Sequence, residues 1–373
     1  MKKGLIWLIV VMMLTAMLAG CTQSATPAQA PSEDVEQTES AEEVAPPEKS
    51  AQSGGDKKTV AFVCIDMQGA FWVDMMRGGE QAAEDYGIDI VFKSAEGSLE
   101  KQISLIENLA VQGVDCILVD PIDKQGIIPA IEKAGEAGIP VITAGNEIET
   151  DYNICTIYND AYDIGCITDI MCKQIGEKGK IACIVGAPGS AVSDARQKGF
   201  EEAIAKYPDI EPFVLPAKWD ATIAQQMVTD ILVAEPDLNG VICADAVGFQ
   251  IVQAAQTAGK DDLMVTNFAG MVDNIPGVKD GTYLLDLLMG GARIGYWNVA
   301  TAAHLANGEE IPQKIYLPTS VILTQEMQDK VKEWGLADKM SMCTPDEAMT
   351  ILEGFSQEFG PDQYNVDSYK PRS

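Results

Sequence analysis

Histidine is almost missing from this chain of 373 residues: His304 is the only one. A histidine-rich metal site and a Ser-His-Asp triad are therefore both disfavoured, because each depends on imidazoles that the chain does not supply. Cations are scarce as well. Lys and Arg number 26 against 56 Asp and Glu, a formal net charge of −30. Nucleic acid is excluded as a partner on that balance, since phosphate contacts need clustered Lys and Arg, and a strongly anionic ligand is disfavoured. There is no CxxC pair. Cys64, Cys116, Cys155, Cys166, Cys172, Cys183, Cys243 and Cys343 mostly sit inside apolar runs and read as small core residues rather than as a disulfide framework. The turn Gly186-Ala187-Pro188-Gly189-Ser190 lacks both the Gly-Lys-Ser/Thr ending of a P-loop and the GxGxxG spacing. It reads as a tight turn lining a cleft, and neither cofactor nor metal is expected.

An apolar run long enough to span a bilayer is also lacking, since a spanning helix needs roughly 20 residues. What stands in its place is Met1-Lys2-Lys3 followed by apolar residues from Leu5 to Leu18, ending in Leu18-Ala19-Gly20-Cys21. That is the pattern of a secretory signal, residues 1–20, with small residues before a cysteine that becomes the lipid attachment point. Residues 21–57 then carry Ser, Thr, Gln, Pro and Ala with Glu33, Asp34, Glu36, Glu39, Glu42, Glu43 and Glu48, and almost no large apolar side chain. Such a stretch cannot bury a core and reads as a disordered acidic tether. The body beyond it is large enough for two domains.

From Thr59 onward short β-branched runs alternate with longer amphipathic segments, the signature of an α/β chain with parallel sheets. Strands are expected at 59–65, 88–92, 116–119 and 141–143, with helices near 99–111 and 125–137. Trp72, Met75, Met76, Gly79, Ala83 and Tyr86 share one helical face. The pattern restarts after Asn159, with strands near 180–185, 212–215, 241–243, 263–268 and 283–288 and helices between them. Val114-Asp115-Cys116-Ile117-Leu118-Val119-Asp120 parallels Asn239-Gly240-Val241-Ile242-Cys243-Ala244-Asp245. Each is a buried strand ending in aspartate, and ligands bind beyond the carboxyl ends of such strands.

Asp120 and Asp245 are thus the first candidates for a site, as carboxylates able to accept hydrogen bonds from hydroxyl groups. Each is equally at home as a helix cap or turn residue. Phe71, Trp72 and Trp219 lie at strand-to-helix transitions and offer aromatic faces for stacking on a sugar ring, with core packing as the rival role for Trp72. Arg196 opens a helix, where a cation gains nothing from the dipole. A role in the cleft competes there with that of a plain surface charge.

With those residues in place, the body resembles the ribose and galactose type of periplasmic binding protein, a branch of the type I binding fold. The likeness runs over roughly residues 58–325. It rests on Ala70-Phe71-Trp72-Val73, Leu118-Val119-Asp120-Pro121, Ile139-Pro140-Val141-Ile142-Thr143, Asn159-Asp160, Arg196 with Gly199-Phe200, Ala255-Gln256-Thr257-Ala258-Gly259 and Val265 through Gly270. The resemblance implies two Rossmann-like lobes with parallel central sheets flanked by helices and joined by three hinge crossings. These would lie near Asn159-Asp160, Met289-Gly290 and Leu317-Thr319. It further implies lobes of residues 58–159 plus 290–318 and 160–289 plus 319–373. The acidic tail from about Gln325 to Ser373 goes beyond the family core, and part of it is expected to pack on the second lobe, with 345–359 helical. Carried over residue by residue, the ligand-binding positions are Phe71, Trp72, Asp120, Asn159, Arg196, Trp219, Asp245 and Phe268. Gly145-Asn146, Ala269 and Gly69-Ala70 depart from the polar residues that sugar binders of the family usually carry there.

The resemblance implies a monomeric extracytoplasmic lipoprotein, anchored to the membrane through Cys21, that delivers a sugar or sugar-like ligand to an ABC permease and its ATPase. Presentation of ligand to a chemotaxis or kinase sensor stands beside this, as do a nucleoside, a polyol or an autoinducer-like molecule as ligand. An enzyme would be a secreted hydrolase using paired carboxylates, but no nucleophile or metal motif accompanies Asp120 and Asp245. A repressor sharing the fold would need a DNA-binding domain where the signal and tether stand.

Overall fold

The computed structural model describes residues 57–148 and 150–361. The expectations for the signal segment, for lipid attachment at Cys21 and for nearly all of the tether lie outside these residues. In chain order the first half comprises β1 (Thr59–Cys64), α1 (Ala70–Asp85), β2 (Asp89–Ser94), α2 (Leu99–Gln112), β3 (Cys116–Val119), α3 (Ile128–Glu136), β4 (Val141–Gly145) and β5 (Asn153–Ile157). The second half begins with α4 (Asp160–Gln174), β6 (Gly179–Val185), α5 (Ala191–Ile204), β7 (Ile210–Pro216), α6 (Ala221–Ala234), β8 (Gly240–Cys243), α7 (Gly248–Thr257) and β9 (Met264–Val265). It continues through α8 (Ile275–Lys279), β10 (Asp286–Leu288), α9 (Gly291–Ala306), β11 (Lys314–Tyr316), β12 (Ser320–Ile322), α10 (Gln325–Glu333), β13 (Met342–Cys343), α11 (Pro345–Glu353) and α12 (Phe355–Phe359).

The first lobe is a sheet of order β11-β5-β4-β3-β1-β2, parallel throughout. Its central strands read as continuous apolar runs because both faces are covered. Phe62 and Val60 pack with Met75 of α1 and Val299 of α9, whereas Ala61 and Val63 face Ile106 of α2 and Ile131 of α3. The second lobe is the parallel sheet β7-β6-β8-β9, and a bridge from Thr266 to Leu285 leads on to the smaller sheet β10-β12-β13. Strand order reverses beside β1 and beside β6, as in doubly wound sheets.

The chain passes between the lobes at Tyr158-Asn159, between β5 and α4, at Met289-Gly290, between β10 and α9, and at Leu317–Thr319, between β11 and β12. Two strands are shorter than their sequence pattern: β9 ends at Val265 and β10 begins only at Asp286. Beyond Thr266 the backbone turns away from the ladder through Ala269, at φ 95°, and Gly270, at φ 57°. Helices α1 and α9 lie unusually close. A Cβ on Gly78 would overlap the Ala292 carbonyl oxygen, and one on Gly295 would overlap that of Met75. Both positions therefore require glycine for the approach.

All eight cysteines of the described residues are buried. Burial pushes the thiols of Cys172 and Cys343 up to about 12 and also raises those of Cys64, Cys116, Cys183 and Cys243 well above the usual thiol value, so they pack as small apolar groups. Within the acidic extension, α11 packs against α8 of the second lobe, while α12 lies on α9 and α1 of the first.

Candidate functional site

The carboxyl ends of the two sheets face a common cleft. At its mouth a cavity of about 410 Å³ is lined by Ile122, Lys124 and Gln125, which follow β3 in the first lobe, and by Gly189, Asp194 and Lys198, around the start of α5 in the second. The turn after β3 is held from below by Gln102, wholly buried on α2. Its Nε2 donates to the Asp120 carbonyl at 2.7 Å and its Oε1 accepts from the Ile122 N–H at 3.0 Å. Asp120 is thereby fixed at the strand end.

Arg196 is the centre of the second-lobe wall. It is buried, with 8% of its surface exposed. Its Nε donates to Asp160 Oδ1 at 2.7 Å and its Nη1 to the Ala244 carbonyl at 2.9 Å. The guanidinium carbon lies 4.1 Å from the ring centroid of Phe268 and 5.7 Å from that of Trp219, distances at which cation and ring attract. Asp245 is close enough to Arg196 to feel its charge. Desolvation raises the Asp245 carboxyl, while Arg196 and the Ala246 N–H, 2.8 Å away, oppose the rise. Four of the predicted positions, Arg196, Trp219, Asp245 and Phe268, are thus assembled in one place.

Trp219 is held there at a conformational cost. Lys218 and Trp219 are successive non-glycine residues at φ 58° and 64°, a region that such residues seldom occupy. The indole packs over Gly186, where a Cβ would overlap the ring. At 41% exposure Trp219 is also among the most open large side chains. Strain of this kind concentrates where function fixes a side chain.

Asp120 stands on the first-lobe side. Burial, and then the charge of Asp160, push its carboxyl up to about 7, so near neutrality it is shared between a donating acid and an accepting carboxylate. Phe71 and Trp72 meet edge to face with centroids 5.6 Å apart, half-buried against the core. Asn159 is used at the first crossing, where Nδ2 donates to the Leu317 carbonyl at 3.0 Å and so ties the first crossing to the third.

Two residues beside these were not singled out from the sequence. Asp160 is the partner of Arg196, and its side chain is 4% exposed. Tyr158, raised by burial and by Asp120, has its hydroxyl 3.4 Å from Asn298 Nδ2. Its ring fills the space that a side chain at Gly145 would occupy, which is the physical reason for that departure from the family pattern. The Asn159-Asp160 pair was visible in the sequence, but nothing local distinguished a hinge residue from the partner of a distant arginine.

Among the described residues no group of three or more His, Cys, Asp or Glu is placed to hold a metal ion, and no helix is long and apolar enough to cross a membrane. The fold and cleft define a two-lobed solute receptor. A family model described as periplasmic binding protein domain matches residues 60–310, and the chain belongs to that family. It is 28% identical over 271 residues to the ribose import binding protein of Salmonella typhimurium, across 72% of this chain and 92% of the relative. It is 27% identical over 263 residues to the xylitol-binding protein of Mycolicibacterium smegmatis, across 69% and 75% respectively. Among solved structures it is similar to an ABC transporter periplasmic solute binding protein of Actinobacillus succinogenes with bound D-allose. That match has a TM-score of 0.67 and 27% identity, and it covers 73% of this chain and 100% of the other.

Proposed function

We propose that this protein captures a monosaccharide or a sugar-like polyol between its lobes and hands it to an ABC importer, without catalysing a reaction. The observation that carries the reading is the arrangement around Arg196. Two of its nitrogens are committed to Asp160 and Ala244, its face is packed against Phe268 and Trp219, Asp245 feels its charge, and Asp120 on the first-lobe side feels that of its partner Asp160. A fixed donor, two carboxylates and an aromatic face suit a molecule with several adjacent hydroxyls and an apolar ring surface. Relatives named for ribose and xylitol, and a similar structure holding D-allose, support that chemical class.

On this reading Phe71, Trp72, Asp120, Arg196, Trp219, Asp245 and Phe268 touch the ligand, while Asn159 serves the hinge. Tyr158, which fills the space above Gly145, shapes the pocket on the first-lobe side. The lobes comprise 58–159 with 290–318, on which α12 rests, and 160–289 with 319–353. Cys21 carries the lipid that anchors a monomeric receptor outside the cytoplasm, with residues 21–57 as its tether.

The test is a thermal-shift screen of the full chain in detergent against D-ribose, D-allose, D-arabinose, xylitol, myo-inositol, nucleosides and amino acids. A ligand at a hundredfold excess over Kd adds about 2.7 kcal/mol of apparent stability. The expected result is a shift with one or more sugars or polyols that Asp245→Ala and Trp219→Ala both abolish while remaining folded. A shift that survives in both variants would remove the ligand from this cleft.

A further inference from the structure

The matched family region stops at residue 310, and beyond β11, the third crossing and β12 the chain goes on through a segment that contributes none of the residues lining the cleft cavity. Its earlier part is built into the second lobe. β13 pairs in parallel with β12 through Val321 with Met342 and Ile322 with Cys343. A capping box at Thr344 and Glu347 starts α11, which packs on α8 and is pinned there by Lys279 Nζ to Asp346 Oδ1 at 2.8 Å. A single residue, Gly354, separates α11 from α12.

α12 rests on the other lobe. The Phe355 ring meets Tyr296 of α9 edge to face, centroids 5.6 Å apart, and the Arg77 guanidinium of α1 lies 5.2 Å from it. The Phe359 carbonyl accepts from the Tyr86 hydroxyl at 2.7 Å. Phe355 and Phe359 are both buried. Tyr86 closes α1 at the end remote from the cleft, about 22 Å along the helix from Phe71 at 1.5 Å per residue. The chain therefore passes between the lobes a fourth time.

This fourth passage is fastened to two of the three crossings. Glu358 accepts from Arg293 Nε at 2.6 Å and from Nη2 at 2.5 Å, and the same Nη2 donates to the Pro318 carbonyl at 2.6 Å. Arg293 lies in the first turn of α9, directly after the second crossing, and Pro318 lies within the third. Leu352 of α11 lies against Gly290 of the second crossing. The Arg293 guanidinium sits 5.0 Å from the Phe359 ring and its side chain is 3% exposed.

We propose that α11, Gly354 and α12 form a clasp across the hinge, in which Glu358 acts through Arg293 as a positioning residue that limits how far the ligand-free lobes open. Opening turns one lobe against the other about the crossings. A segment anchored to both lobes must then bend at Gly354 or release its buried aromatic anchors. The proposal rests on the two-lobed trap described above, yet it concerns the molecule without ligand.

Hydrogen exchange on the ligand-free full chain tests it. Amides at 157–160, 288–291 and 316–320 should exchange about tenfold faster or more in Glu358→Gln, where a charge-assisted pair is lost, and faster still in a chain carrying Phe355→Ser and Phe359→Ser. Central strands β1 and β6 should be unchanged, and small-angle scattering should show a larger radius of gyration for the doubly substituted chain. Unaltered exchange at all three crossings would overturn the clasp. So would acceleration spread equally into β1 and β6, which marks a general loss of stability rather than a hinge effect. Because no sugar enters the assay, the outcome is independent of the ligand screen.

Discussion

Arg196 has two of its guanidinium nitrogens occupied before any ligand arrives, and this makes Asp160 the residue on which the pocket's geometry depends. The pair is almost fully withdrawn from water, with side chains 10% and 4% exposed. Removing one member of a buried pair leaves the other charged and unpaired, at a cost of about 3–5 kcal/mol. Asp160→Ala is therefore expected to lower the free energy of unfolding in urea by that order and to abolish ligand binding as well. A loss below about 1 kcal/mol would show that Arg196 finds water or another partner, contrary to its burial. Asp120 and Asp286 give a second residue-level consequence. Their folded-state carboxyls are raised to about 7 and about 6, in both cases chiefly by desolvation. A raised acid binds its proton more tightly when folded, so its contribution to stability is full below the unfolded value near 4 and is lost as pH rises through 6 and 7. Ligand-free protein should accordingly become more stable to denaturant as the pH falls from about 8 to 5, and Asp120→Asn should flatten the upper part of that profile. A stability that falls over the same interval would contradict the raised carboxyls of both groups. Asp120, Asp245 and Arg196 were legible as candidates because strand ends and helix starts are marked by local pattern. Gln102, Tyr158 and Asp160 were not, since their roles are fixed by partners between 18 and 140 residues away.

Packing of α1 on α9 shows what a sequence pattern reveals about an element and what it withholds. The apolar face of α1 follows from spacings of three and four, and of that face the helix buries Met75, Gly79 and Ala83 and half-buries Trp72, Met76 and Tyr86. That the partner would be a helix more than 200 residues later, meeting it through Gly78 and Gly295, is a tertiary fact. Gly295→Ala places a methyl group against the Met75 carbonyl oxygen, where only backbone movement relieves the overlap. Overpacking of this kind costs about 1–3 kcal/mol, despite the gain in helix propensity. A scanning-calorimetry midpoint at or above that of the parent would show that the two helices separate more freely than their contact implies. Strands β11, β12 and β13 were missed for a related reason. They are two or three residues long, and each is a strand only because a distant neighbour pairs with it. Most of the longer parallel strands were read correctly because burial on both faces writes itself as an apolar run, but β5, whose run is broken by Asn153 and Thr156, was missed as well.

At the scale of the whole molecule, the departures of Gly145 and Ala269 from the family pattern have different causes. Gly145 makes room for the Tyr158 ring, so bulk lost from one strand end is restored from the next. Ala269 sits in a strained turn held by Asp286, which is fully buried and accepts from the N–H groups of Gly270 and Leu287 and from Asn267 Nδ2. Asn267 in turn accepts from the Gly248 N–H, and Gly290 at the second crossing donates to the Ala269 carbonyl. The Phe268 wall of the pocket, the Asp245 loop and the hinge are thus joined by one hydrogen-bonded chain, and closing the lobes carries the wall with it. Trp219, packed beside Arg196 at the second-lobe wall, is the proposed ligand-contacting group with most surface left to cover, since it is 41% exposed in this structure. Titration with a sugar that raises the melting temperature should reduce acrylamide quenching of tryptophan fluorescence and lower the radius of gyration together. In Trp219→Phe the scattering change should persist while the quenching change is much reduced, what remains coming from Trp72, which is half-buried and touches the ligand on the proposed reading. Protected fluorescence without any compaction would mean that the ligand covers Trp219 on a rigid surface and that the lobes do not close.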